Sequence, residues 1–148
     1  MGAGPIRMPD GNALLLFDGT VDLDSDEIRC ALFTSDYTIA GRWYDDTHEL
    51  ATEHGYERGG KALTNREITE VLRVVRLYAD ETSWTITGES ITARYGVLYD
   101  DTADGKPVLG VFLLDGDDLD VTVNPGQDLR IVWNAAGILR AVRAEPVG

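Results

Sequence analysis

Residues 91–99 repeat with a period of two. Ile91, Ala93, Tyr95, Val97 and Tyr99 alternate with Thr92, Arg94, Gly96 and Leu98, which is the spacing of a strand with two distinct faces. Asp100, Asp101, Thr102, Ala103, Asp104 and Gly105 then form a run of turn formers, ending in an Asp-Gly pair that accepts positive φ. From Pro107 to Leu114 nearly every position is apolar or β-branched, so this second strand is expected to be buried on both faces. Shorter stretches repeat the theme at 12–17, 27–34, 82–87, 119–123, 129–134 and 137–144, separated by Gly, Asp and Pro turns. The pattern predicts an all-β fold: a single-domain β-sandwich, jelly-roll-like, spanning residues 12–148, with residues 1–11 as an extended N-terminal arm.

Two segments depart from that rhythm. In residues 41–60 the alternation lapses, and Asp46 or Thr47 is placed to cap a short helix through Glu53 that Gly55 would stop. In residues 64–80, Ile68, Val71, Leu72 and Val75 follow helical spacing behind a Thr64–Glu67 capping box. The same stretch is rich in valine, which favours strands. The arm holds three glycines and two prolines and can be neither a helix nor an inner strand. It is either a frayed end or a strap that orders on a neighbouring subunit, with Ile6 and Met8 as its anchors.

Charge narrows the partners. The 148 residues carry 26 acids against 13 bases, a net charge of −13. No basic stripe offsets this, so neither nucleic acid nor an anionic membrane is an expected partner. A single cysteine, Cys30, excludes an internal disulfide and reads as a buried structural thiol. The start of the chain has no signal-peptide pattern, which points to folding in a reducing cytosol.

Motifs of catalysis fail on inspection. Gly55 to Lys61 has phosphate-loop spacing, but Ala62 stands where Ser or Thr would hold magnesium. His48 and His54 are six residues apart, about 240° around a helix, and do not share a face. The acidic runs at 22–27, 100–104 and 115–120 lack a calcium-loop spacing and read as turns. No catalytic residue, cofactor or metal is therefore expected, and the chain is not read as an enzyme. Long irregular segments with aromatics are where rigid scaffolds place binding groups, so Trp43, Tyr44, Tyr56 and Arg58 join Ile6 and Met8 as candidate interface residues.

Several segments, taken in order, carry a family resemblance: residues 31–38 (ALFTSDYT), Gly55-Tyr56 with Gly59-Gly60 and Leu63, Trp84, residues 91–102 (ITARYGVLYDDT), and residues 133–139 (WNAAGIL). Over roughly residues 12–140 the chain resembles small virion structural proteins of tailed bacteriophages and prophages, found among head and tail genes. The resemblance implies two strands with a turn in residues 67–80, and that choice is taken over the helix. It further implies a virion component assembled in the host cytoplasm. The leading expectation is a capsid decoration or cement protein on the major capsid protein, homo-oligomeric with a trimer favoured. The alternatives are a head–tail connector or tail-associated protein, and a carbohydrate-binding module that contacts host glycans through Trp43, Tyr44 and Tyr56.

Overall fold

A computed structural model of the chain describes residues 4, 6–38 and 41–142. In chain order its elements are α1 (Asn12–Phe17), β1 (Ile28–Phe33), β2 (Lys61–Ala62), β3 (Glu67–Val71), β4 (Val74–Tyr78), β5 (Thr82–Thr85), β6 (Ile91–Ala93), β7 (Tyr95–Asp100), β8 (Val108–Leu113), β9 (Val121–Val123), β10 (Asp128–Ile131) and β11 (Leu139–Val142). All strand pairs are antiparallel. They form a four-stranded sheet ordered β2-β1-β7-β8, a three-stranded sheet ordered β11-β4-β3, and the pairs β10-β5 and β6-β9. Packed together, these sheets make one sandwich-like all-β domain.

The four-stranded sheet is the centre, because the alternation along β7 and β8 puts apolar side chains on both of its faces. One face carries Leu98, Leu109 and Phe112, which join Trp84, Ile86, Leu129 and Ile131 from the β5–β10 side in the larger core. The other carries Val97, Tyr99, Val108 and Val111, packed with Ala31 and Phe33 of β1. Each large apolar side chain so buried contributes about 1.5–3 kcal/mol. The turn between β7 and β8 places Gly105 at φ 75°, in the conformation that its Asp-Gly pair favours. Cys30 is fully buried, and burial pushes its thiol pKa up, away from reactivity.

The arm lies on its own domain. The Gly4 amide donates to the Leu113 carbonyl (3.1 Å), and Arg7 and Val111 exchange amide bonds of 2.9 and 2.8 Å. Ile6 covers Gly110: a Cβ built there would lie 2.2 Å from Ile6 Cγ2. The described part of the arm therefore extends the β8 edge within one chain.

Three expectations are corrected or resolved. Residues 12–17 form a helix and not a strand. Asn12 is fully buried, and its side-chain amide donates to Arg42 O (2.9 Å) and Val108 O (2.7 Å), which turns the chain inward just before the strong helix formers Ala13 to Leu16. No helix forms in residues 46–53, for reasons that lie in the site below. Residues 67–78 are the hairpin β3–β4, as the family resemblance implied. Its two-residue turn, Leu72-Arg73, has both φ angles positive (50° and 71°), the twist that antiparallel hairpins prefer.

Candidate functional site

Residues 41–60 run from the β8 edge of the four-stranded sheet to its β1 edge, with Tyr44 on the face that carries Tyr99. The Tyr44 amide donates to Lys106 O (2.8 Å) and Val108 donates to Arg42 O (2.8 Å), so the segment first runs beside the start of β8. It then follows β1, with Thr34 donating to His48 O (3.0 Å) and Leu50 to Leu32 O (3.1 Å). Those amide bonds to β1 replace the intrahelical bonds that the 46–53 helix would have needed.

Glu49 anchors this path. It is 4% exposed. Its carboxylate accepts from the Tyr44 hydroxyl, from the Tyr56 hydroxyl (2.5 Å) and from the Gly59 amide (2.7 Å). The Tyr56 oxygen also accepts from the Leu32 amide of β1 (2.9 Å). Tyr99 of β7 stacks on Tyr44 with centroids 4.1 Å apart and donates to Gly59 O (2.6 Å). Arg29 of β1 donates to the carbonyls of Gly59 (3.1 Å) and Gly60 (2.7 Å). A buried carboxylate is tolerable only with donors on its oxygens, and here three donors close the segment onto the sheet.

The three phenols of the cluster stay protonated near neutrality. Burial, followed by the bond to Glu49, pushes the phenols of Tyr44 and Tyr56 above their usual range. Burial also raises the Tyr99 pKa to about 12. All three remain donors, so the chemistry of the cluster is that of a staple.

The proposed interface residues separate in space. Tyr56 is 2% exposed and belongs to the core, and Tyr44 is half-buried in the staple. Trp43 is 45% exposed, with the Arg42 guanidinium 5.1 Å from its ring centre and Gly105 packed against it. Arg58 is exposed and reaches Asp46 at 3.4 Å. Trp43, Tyr44 and Tyr56 therefore do not form one exposed aromatic platform. Ile6 and Met8 lie elsewhere, on a groove described below. In the phosphate-loop spacing, Lys61 belongs to β2, where its ammonium donates to Ser83 O (2.6 Å).

Two of the acidic runs meet. Asp101 donates its amide to Glu27 O (2.8 Å), and the Glu27 amide donates to the Thr102 hydroxyl (2.8 Å). Asp100 is fully buried between them. One carboxylate oxygen accepts from the amides of Thr102 (2.8 Å) and Ala103 (3.1 Å), while the other has no donor. Burial first, and then the neighbouring Asp26, push its pKa up to about 6. Among the described residues no group of three or more His, Cys, Asp or Glu side chains is placed to hold a metal ion.

The opposite character appears beside α1. Ile6, Met8, Leu16, Phe17, Ile68 and Leu139 are among the residues lining an open groove of about 700 Å³ between the arm, α1 and the three-stranded sheet. Of the nine large hydrophobic side chains exposed among the described residues, six (Leu14, Phe17, Ile68, Val71, Leu72 and Val142) lie on α1, β3, the β3–β4 turn or β11. Of these six, Phe17 and Ile68 line the groove itself. Of this side, sequence reading named only Ile6 and Met8, and it did not anticipate the part that α1 and the three-stranded sheet supply. The signal available was the uncharged run Ala13 to Phe17, which as a helix cannot turn all of its apolar side chains inward.

Comparison of the chain with protein-family models, curated proteins and solved structures finds no match.

Proposed function

We propose that this protein is a virion structural component of a tailed phage or prophage, acting as a capsid decoration protein that docks on the major capsid protein. The phage assignment rests on the sequence resemblance. The observation that carries a docking role is the rigid presentation of Trp43. The indole stands half-exposed beside Arg42, with Arg58 on the same segment, and the Glu49 staple fixes that segment to the central sheet. Tryptophan and arginine are the residues that most often dominate protein interfaces, and they act best from pre-ordered backbone. The described arm is spent on its own sheet edge, so the capsid contact passes from the arm to this corner.

A platform for sugars is less well supported, because Arg42 and Gly105 occupy space against the indole and Tyr56 is buried.

The test is Trp43→Ala, followed through particle assembly. Loss of the protein from purified particles, with the domain still folded, supports capsid docking. Normal incorporation with lost binding to host cells favours the glycan reading and overturns this one. Copy number then separates decoration from a connector: on the order of hundreds per particle for decoration, about a dozen for a closed connector ring.

A further inference from the structure

Two carboxylates converge where residues 22–27 meet the β7–β8 turn. Asp100, at the end of β7, is fully buried. Its Oδ1 accepts from the amides of Thr102 and Ala103. Its Oδ2 is shielded from solvent, has no donor, and meets the Asp26 carboxyl of the facing loop. Asp26 in turn accepts from the Asp22 amide through Oδ2 (3.1 Å). Backbone bonds tie the two elements beside the pair, from the Asp101 amide to Glu27 O and from the Glu27 amide to the Thr102 hydroxyl. The convergence is therefore fixed from both elements. Asp22, Asp24, Glu27, Asp101 and Asp104 add negative charge along the same two segments. The bases on or beside them are engaged elsewhere: Lys106 with Asp101 (3.0 Å), Arg29 with Glu27 (2.5 Å) and Arg66 with the Leu23 carbonyl (2.8 Å). Two carboxylates in contact, one of them out of reach of solvent, repel unless something positive lies between them.

We propose that Asp26 and Asp100 together bind a hard divalent cation, calcium in preference to magnesium. The converging donors are all oxygen, which selects hard ions. Asp100 Oδ2 has no contact with water, so an ion must shed part of its hydration shell to touch it. Magnesium dehydrates reluctantly, whereas calcium accepts irregular shells of mixed carboxylate, carbonyl and water oxygens. Each carboxylate offers one oxygen, because the other is bonded to backbone amides. With two charged ligands only, the dissociation constant is expected on the order of 0.1–1 mM. Neither acidic run has calcium-loop spacing by itself; the pair arises only where the two runs meet. The ion joins the loop before β1 to the turn after β7, and that turn carries Gly105, against which Trp43 packs.

Thermal unfolding of the purified full chain near neutral pH tests this, in chelator, in about 10 mM calcium or magnesium chloride, and in sodium chloride of matched ionic strength. Calcium should raise the midpoint by about 3–10 °C beyond the sodium control, and magnesium by less. Asp26→Asn and Asp100→Asn should each abolish the calcium response. Both keep the size of the side chain, and in chelator both should be at least as stable as the parent, so a lost response is not a lost fold. Asp117→Asn, in the third acidic run, should keep the full response. A midpoint that calcium moves no further than matched sodium chloride overturns the proposal. So does a response that survives both Asp26→Asn and Asp100→Asn, or one that Asp117→Asn also abolishes, since calcium would then act on the acidic surface as a whole. The experiment uses the isolated chain, so its failure leaves the virion reading standing, and failure of the virion reading leaves this site standing.

Discussion

Residues 41–60 and the three-stranded sheet with α1 invert the usual association of regular structure with burial. The irregular segment is held at nearly every turn: its amides reach β1 and β8, and its one buried acid has three donors. The sheet and helix are regular, yet they expose most of the large apolar side chains that the described surface shows. Order therefore comes from two sources here. In the segment it comes from specific polar bonds that satisfy buried groups. In the sheet it comes from backbone pairing and from side chains such as Leu77 and Leu139 turned to the core, while Ile68, Val71, Leu72 and Val142 stay exposed.

The largest test of that contrast is Glu49→Ala. It strands the buried Tyr56 phenol, the half-buried Tyr44 phenol and the Gly59 amide together, and should cost about 3–5 kcal/mol in urea unfolding. Glu49→Gln, which keeps an acceptor, should cost clearly less. A loss under about 1 kcal/mol for Glu49→Ala would show that the segment is held by something other than its staple.

Asp100 sharpens the same point from the other side, as a buried acid with one oxygen lacking a donor. Its pKa, raised from 3.8 to about 6, means that the folded chain holds a proton that the unfolded chain has released. Stability should therefore fall as pH rises from about 4 through 6 and then level off. Asp100→Asn keeps the oxygen bonded to Thr102 and Ala103 and offers Asp26 a donor. It should stabilise the fold by about 1–3 kcal/mol near pH 7.5 and flatten that part of the pH profile. An unchanged profile would remove Asp100 as its cause.

The smallest effect belongs to the exposed sheet. Leu72 and Arg73 occupy left-handed positions that Asn and Gly fill at lower cost, and Leu72 is 90% exposed. Replacing the pair by Asn-Gly should raise monomer stability by about 1 kcal/mol, seen as a higher thermal midpoint. A loss instead would mean that Leu72 packs within its own chain.

Legibility followed the range of the interactions. Period-two alternation marked β1 and β7, and a continuous apolar run marked β8, because a strand buried on one or both faces writes its burial into neighbouring positions. The β3–β4 hairpin was harder: Ile68, Val71, Leu72 and Val75 fit a helix, and no glycine or asparagine marks the turn. Pairing with β11 on one side and the short turn on the other overrode local spacing there. The Asn12–Phe17 helix was misread because six apolar-rich residues fit either state, and the deciding bonds come from Arg42 and Val108. Of the candidate interface residues, Trp43 and Arg58 are exposed and Tyr56 is buried: aromatic character is visible in a sequence and its direction is not.

By itself, then, the sequence determined the β class, the central hairpin and the acidic character of the molecule, all of which are local or compositional properties. Only the tertiary structure decided that Glu49 is a buried staple among many acids, that the arm folds back on Gly110, and that the apolar surplus gathers beside α1. Each of these depends on groups brought together from distant parts of the chain, and no spacing within a single element encodes which donor, which glycine or which edge will be waiting there.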